Sequence, residues 1–445
     1  MSEVNVSQLN AEHSSDWKFI RAELNSSRAF QPLDIRNVIT DFEVYEHIDK
    51  PYITGKLVVN DAQRVYERFD FQGGETFTVD IARSHNQKIP SITKTFIVDE
   101  VIDAGRVNET VQTLMLHLIE DVGFSDVLTN VNRSYTGQPQ TIMQKIAAEY
   151  LDKDIIDNAE DNVENSMRVI IPNLSPIEAM AWLKNRSTTV EGYPFFLYST
   201  FAVNKYYLMD LGSLLSQPVI NKDAAFTYSQ GVEVSETGSR LFKIHDYKLA
   251  NVENISSLIH AGYIGANHSF HNVTTGSSQT IKFDVHFDIY NKIEFNRRQK
   301  RPLVSTELKH KDKVLSDFES RNISNVFATR SFNDAKSYGE ENTRGEAKRS
   351  VVANAMKHLL TKAPMEITVE GREFLNGSSN YSIGNNIKVI FKGTADDGPS
   401  VKIDRKMSGD YIIHSARHVF SVEKCFSILL ISKIANYNDD SYPVG

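Results

Sequence analysis

One strand pattern occurs twice in this chain, near its two ends, and limits the available folds more than any other feature. The first copy reads Gly74-Glu75-Thr76-Phe77-Thr78-Val79, then Phe96-Ile97-Val98, then Thr113-Leu114-Met115-Leu116-His117-Leu118. The second reads Gly384-Asn385-Asn386-Ile387-Lys388-Val389, then Tyr411-Ile412-Ile413, then Phe426-Ser427-Ile428-Leu429-Leu430-Ile431-Ser432. Order, residue character and approximate spacing agree, although identity is low. Alternation of apolar and polar residues marks half-buried strands, and a leading glycine marks a chain break. Two similar β units separated by unrelated sequence imply a module built for assembly rather than a pocket built for chemistry. In the last strand Ile428 and Leu430 are expected to face the core.

At 445 residues the chain exceeds one compact core, so roughly two to four domains are expected. A hydrophobic content of 40% with 24% charged residues is that of an ordinary soluble globular protein. The formal charge of −8 gives no nucleic-acid-binding face, since an acidic surface repels phosphates. Cys425, the single cysteine, excludes an intrachain disulfide and a cysteine-based zinc site, and fits folding in a reducing cytoplasm. The polar start from Met1 to Asp16 has no signal-peptide pattern, and no run approaches the roughly 20 apolar residues of a membrane span. A soluble, unexported chain without a membrane anchor is expected.

Residues 1–16 read as a flexible arm, and strand signals run from Trp17 to about Val122. Ile39, Phe42, Val44 and Tyr45 form one strand, Ile53, Leu57 and Val59 the next, and Ala104 to Glu109 a hairpin connection. Five or six strands of this kind are enough to close a small barrel or sandwich. Residues 123–220 read as an α/β insert. Ile142, Ile146 and Tyr150 lie on one helix face, and Ser175-Pro176-Ile177-Glu178 is a capping box with proline at the first helical position. Met180, Ala181, Trp182 and Leu183 are the expected buried stripe, and Tyr193–Tyr198 with Lys205–Leu211 a hairpin. Further on, Leu241–Tyr247 is strand-like, Asn251–His260 a short helix, and Ile281–Ile289 a strand alternating through Phe283, Val285 and Phe287. Residues 330–345 read as a polar loop. A helix then runs from Gly345 to Leu360, with Val352, Ala355, Met356 and Leu359 on one side and Pro364 ending it.

Catalytic signatures are missing. There is no phosphate-binding loop, nucleophile elbow, zinc-protease pair or dinucleotide fingerprint. His268 and His271, with His260 upstream and His286 downstream, could bind a metal only with a third ligand and a supporting shell, and a polar turn explains them more simply; a metal-dependent hydrolase using all four would require stoichiometric bound metal. His414 and His418 are expected as exposed strand positions. A carboxylate pair for glycoside hydrolysis has 57 acidic residues to draw on, but none stands out. Asp396-Asp397-Gly398 reads as a turn and Asp439-Asp440 as a solvated tail. The basic segment 297–313 reads as solvated surface or as a grip on an acidic partner. The aromatic run Tyr193-Pro194-Phe195-Phe196 with Tyr198 belongs to the insert core rather than to a sugar-stacking platform, with half its rings inside. No catalytic, cofactor-binding or metal residue is therefore assigned, and no cofactor is expected.

With these elements placed, the chain resembles the central hub proteins of contractile-tailed phage baseplates, the T4-type hub family, related to the N-terminal part of type VI secretion spike proteins. The resemblance rests on Ile39 to Asp61, with Phe42-Glu43-Val44-Tyr45-Glu46-His47-Ile48 before Pro51-Tyr52-Ile53-Thr54-Gly55. It also rests on Ile170-Ile171-Pro172-Asn173-Leu174-Ser175-Pro176 leading into the Trp182 helix, and on Gly409-Asp410-Tyr411-Ile412-Ile413 through His418 to the final strand.

The resemblance implies a mainly β fold with α+β insertions and two tail-tube-like β-barrels per chain, forming a pseudo-sixfold ring in a homotrimer. The implied division is a first barrel at 17–122, the insert at 123–220, a second barrel at 221–250 and 362–435 interrupted by an insertion at 251–361, and a tail at 436–445. The implied role is that of a non-enzymatic symmetry adapter in the virion tail baseplate, folded and assembled in the host cytoplasm. Its partners would be a central spike protein and tail-tube or tube-initiator proteins. DNA would pass through the channel without stable binding. A tail-tube initiator or other baseplate component is the alternative within assembly proteins, and a carbohydrate-active β-protein the alternative from another class.

Overall fold

The computed structural model describes residues 16–61, 65–69, 71–84, 89–106, 112–221, 224–229, 242–249, 255–273, 276, 278–290, 309–317, 322–327, 343–360, 365–375, 382–395, 398–405, 407–422 and 424–436. The arm at 1–15, most of the basic segment 297–313, Pro364, the Asp396-Asp397 turn and the tail beyond Asn436 lie outside the described residues.

The first strand unit contains β1 (Lys18–Asn25), β2 (Leu33–Asp34), β3 (Ile39–His47), β4 (Thr54–Asp61), β5 (Thr76–Ala82), β6 (Ile92–Arg106) and β7 (Gln112–Glu120). They pair in the order β3-β4-β7-β6-β5-β1-β2. Period-two alternation puts Leu114, Leu116 and Leu118 of β7 inside, together with Phe77, Val79 and Ile81 of β5. β3 and β5 are four strand spacings apart in this order, about 19 Å on a flat sheet. Yet the Phe42 and Phe77 ring centroids lie 5.5 Å apart, so the sheet curls over onto its own apolar face. β6 continues through Ala104–Arg106, where the sequence pattern places a hairpin connection, because β7 pairs with it as far as Arg106↔Gln112.

The next segment has its own apolar core, around the helices Pro139–Leu151 and Pro176–Lys184. Its strands are β8 (Ser134–Gly137), β9 (Ile155–Asp157), β10 (Met167–Ile170), β11 (Phe195–Ser199) and β12 (Tyr206–Asp210). The capping box forms as the sequence reads: the Glu178 N–H donates to Ser175 Oγ at 3.3 Å and the Ser175 N–H to Glu178 Oε2 at 3.4 Å. Ala179, Met180 and Leu183 make the buried stripe. Ala181 and Trp182 are only half-buried, and the Arg186 guanidinium lies 3.8 Å over the Trp182 ring. All five residues of β11 are buried, not half of them. Phe195 and Leu197 enter this core, while Phe196 and Tyr198 enter the next one. A strand covered on both faces reads as a continuous apolar run.

The second strand unit contains β13 (Phe226–Ser229) and β14 (Asp246–Leu249). A three-stranded sheet follows, made of β15 (Gly265–Asn272), β16 (Ser278–Asp284) and, beyond the short hairpin β17 (Lys309–His310) and β18 (Lys313–Val314), β19 (Asn322–Phe327). The chain returns through the Thr343–Leu360 helix to β20 (Met365–Glu370), β21 (Asn386–Ala395), β22 (Gly398–Ile403), β23 (Gly409–Ser421) and β24 (Lys424–Asn436). β16 ends at Asp284, short of Ile289. There the carboxylate accepts the N–H groups of His286 and Phe287 and turns the chain into a helical loop. The pairing order of the unit is β14-β20-β24-β23, with β21 on β23 and β13 on β21. The ends meet: Thr227 of β13 exchanges backbone hydrogen bonds with Phe242 and Ile244, just before β14, at 2.7 and 2.9 Å.

Cys425, Ser427, Leu429 and Ile431 face the interior of β24, whereas Ile428 and Leu430 lie half-buried on its other face. The expected facing of this strand is therefore reversed. The run Phe426–Ser432 is apolar on both sides, and the hydroxyl of Ser427 points inward because it has a buried partner there.

The repeated pattern is residue-for-residue in the pairing. Thr76 stands opposite Ile97 and Val98 opposite Leu118; at the matching positions Asn386 stands opposite Ile412 and Ile413 opposite Ile431. The Gly74 N–H donates to Val98 O and the Val98 N–H to Glu75 O, at 3.3 and 2.7 Å. The Gly384 N–H donates to Ile413 O and the Ile413 N–H to Asn385 O, at 2.7 and 3.0 Å. Both glycines are left-handed, with φ of 84° and 79°, a region without steric cost only for glycine. Directly after this exchange each long strand carries one extra, bulged residue, Asp99 in β6 and His414 in β23.

Candidate functional site

The two strand units join edge to edge. β23 passes beyond β21 and lays Ser415–Ser421 antiparallel along His47–Asp41 of β3, making one 14-stranded sheet among the described residues. The His414 carbonyl accepts the Ile48 N–H at 2.9 Å, so the bulge starts the junction. On the outer face Arg417 reaches diagonally to Glu43, with nitrogen–oxygen distances of 3.0 and 2.7 Å, and packs over the Tyr45 ring. Burial alone would raise the Glu43 carboxyl, but Arg417 and the Tyr45 hydroxyl hold it below its usual range.

Beneath the junction lies a buried polar cluster. Glu46 of β3 is 2% exposed, and its carboxylate accepts from Ser382 Oγ at 2.6 Å, from the Phe201 backbone N–H and from His418 Nε2 at 3.2 Å. His418 Nδ1 lies 2.7 Å from Ser427 Oγ on β24. Burial pushes the Glu46 carboxyl upward, yet the His418 hydrogen bond and charge, with the other donors, hold it below the ordinary carboxylate range. One carboxylate thus ties together both strand units, the loop before β21 and the segment after β11. His414 is buried beside His47, and burial first, then the His47 charge, brings it down to about 4. The expectation that His414 and His418 are exposed is corrected. Both are buried by groups distant in sequence: His414 lies beside the His47 ring, and the Phe201 and Phe374 rings lie 6.5 and 5.0 Å from that of His418.

The Ser427–His418–Glu46 sequence of hydrogen bonds resembles a nucleophile relay only in its residue types. Ser427 is 0% exposed, so no substrate reaches it, and the serine meets Nδ1 rather than the Nε2 used in serine hydrolases. The arrangement fastens strands together. A second buried ionic group joins the first unit to the insert: Lys94 Nζ donates to Glu120 Oε1 at 3.1 Å and to the Val203 carbonyl at 3.2 Å, with Lys153 at 3.6 Å from the same carboxylate.

The other histidines do not converge. His268 and His271 sit within β15, a strand rather than a turn, and an odd spacing of three places them on opposite faces. His260 closes the Ile255–His260 helix and His286 lies in the loop after β16. Among the described residues no three metal-ligating side chains cluster, and no helix is long and apolar enough to cross a membrane.

No protein-family model and no curated relative matches the chain. Solved structures do. A tail protein from Neisseria meningitidis MC58 aligns over 96% of this chain and 100% of its own, with a TM-score of 0.52 at 13% identity. The 43 kDa tail protein of prophage MuSo2 from Shewanella oneidensis aligns over 93% of this chain and 98% of its own, with a TM-score of 0.52 at 12% identity. The chain has the fold of these tail proteins over nearly its whole length.

Proposed function

We propose that the chain is the central hub of a contractile phage tail baseplate. In this reading each strand unit is one tube-like barrel, at 17–122 and at 221–250 with 362–435. Three chains then present six barrels in a ring. The ring accepts a sixfold tail tube on one side and a threefold spike protein on the other, and DNA passes through its channel. The protein is structural rather than catalytic and resides in the virion tail.

The observation that carries the reading is the pair of strand units with the same register, the same glycine turn and the same bulge, joined edge to edge within one chain. A subunit whose two halves are near-equivalents doubles the symmetry of its oligomer, as an adapter between three and six must. The likeness in fold to two tail proteins supports it. Buried ionic ties between units add support, since they hold the halves at a fixed angle. Ring interfaces of this obligate kind bury about 2,000 Å² or more.

The test is mass by sedimentation velocity on the purified chain, with class-averaged electron micrographs. A trimer showing a threefold ring of six similar lobes around a channel is expected. A chain that stays monomeric, alone and with its spike protein, overturns the reading.

A further inference from the structure

The internal junction uses one edge from each strand unit, and each unit keeps a second edge at the position equivalent to the one its neighbour uses. In the second unit the stretch of β23 after the His414 bulge pairs with β3. The matching stretch of β6, after the Asp99 bulge, meets no strand on that side among the described residues, because β5 pairs with β6 only as far as Ile97. In the first unit β3 is covered by β23. Its counterpart β14 ends the sheet, paired among the described residues with β20 alone. The equivalence is set by register: Phe42↔Leu57↔Leu116 in the first unit matches Tyr247↔Ile367↔Leu429 in the second.

Resting on the hub reading, we infer that β6 of one copy pairs antiparallel with β14 of the next copy, repeating between chains the β23–β3 junction formed within each chain. Counted through the partner strands β7 and β24, and past an extra bulged residue of β6, Ile102, that β23 lacks, the register carries over. His418↔Val44 and Val419↔Glu43 become Ala104↔Leu249 and Gly105↔Lys248.

Two observations, independent of the open edges themselves, fit this occupant. The first is charge. The diagonal pair Arg417–Glu43 of the internal junction is replaced at the equivalent positions by Asp103 and Lys248, again opposite in sign but exchanged between the edges. Both are exposed in the single chain. A strand edge with like charges opposite would be repelled; this one is complementary. The second is burial. Val44 is 0% exposed under the internal junction, while its counterpart Leu249 is 63% exposed, an apolar side chain left uncovered beside an open edge. Open edges invite pairing, and a closed ring would cover these two. The contact is heterologous, first unit to second unit, so it closes when the third chain returns to the first.

Two sets of variants test the inference on the full chain. Ala104→Cys combined with Leu249→Cys is expected to give disulfide-linked trimers on a non-reducing gel, and neither single variant does so; the native Cys425 is buried and does not compete. Asp103→Lys and Lys248→Glu are each expected to lower the trimer fraction at least tenfold in sedimentation at low salt, with the circular dichroism spectrum unchanged, and the double exchange to restore it. A wild-type trimer that neither cross-links at this pair nor responds to the charge exchange overturns the pairing and leaves the hub reading standing. A wild-type monomer overturns both.

Discussion

The first strand unit is built from one stretch of chain, and the second is assembled from two stretches more than a hundred residues apart. β5 of the first unit takes the antiparallel β1 as its outer neighbour; β21 of the second takes the parallel β13, delivered from beyond the insert. Yet the inner three strands, β5-β6-β7 and β21-β23-β24, share the register around one glycine turn and the bulge that follows it, while β6 adds a further bulge between Val101 and Asp103. What is held in common is therefore the bent three-stranded core with its projecting strand end. The flanking strands only have to cover the apolar face, and direction is free to vary. The feature shared by both units is the one that makes junctions.

The comparison is broken most severely by charging the interior of the shared core. Leu429→Asp places an unpaired carboxylate where the residue is 0% exposed, and cooperative unfolding of the second unit in denaturant is expected to disappear. Ile428→Asp, on the half-buried outer face, should leave a transition with a shifted midpoint. Equal damage from both would reverse the strand facing again.

The bulge of β23 places a titratable side chain, His414, in the interior. With His414 depressed to about 4 in the folded state and near 6.5 when unfolded, the unfolded chain binds more protons between these values. Stability from this position is thus present above about pH 6.5 and is lost as pH falls toward 4, on the order of 3 kcal/mol over the window. His414→Gln should flatten that part of the stability–pH curve, and chemical denaturation between pH 4 and 7 measures it.

The glycine turns give the smallest and sharpest comparison. At Gly74 a Cβ meets nothing within 4 Å, so Gly74→Ala costs only the left-handed backbone, about 1–2 kcal/mol. At Gly384 the same Cβ falls 2.5 Å from the Tyr198 hydroxyl, and Gly384→Ala should cost clearly more. Tyr198→Phe in that background should return part of the difference. Equal losses at the two glycines would mean that the Tyr198 side chain yields without cost.

Much of this was legible in the residues. The repeat, read from glycines and alternation alone, aligns the two units in the register that their strands adopt. The Ser175–Glu178 cap and the helix starting at Pro139 carry their signals locally. The junction did not. Glu46 and His418 are 372 residues apart, and each reads as an ordinary polar position on a strand with one wet face. Only the segments carrying Phe201, Phe374 and Ser382, brought there from elsewhere in the chain, make both interior. The same cause reversed the facing of β24, where Ile428 and Leu430 compete with Ser427 and Leu429 for the inside. Two exposed charges, Asp103 and Lys248, acquire meaning only beside Arg417 and Glu43, which a linear reading does not bring together.

The internal junction also sets an order of events during synthesis. β3 lies near the start of the chain and its covering strand, Ser415–Ser421, near the end. At about 5–20 residues per second, the completed first unit holds an unpaired, apolar-backed strand edge for on the order of twenty seconds to a minute before β23 emerges. Several such edges, one on each nascent chain of a polysome, are a template for joining the wrong chains. Timing, and not only the final energy, therefore decides whether a first unit captures its own second unit or that of a neighbour.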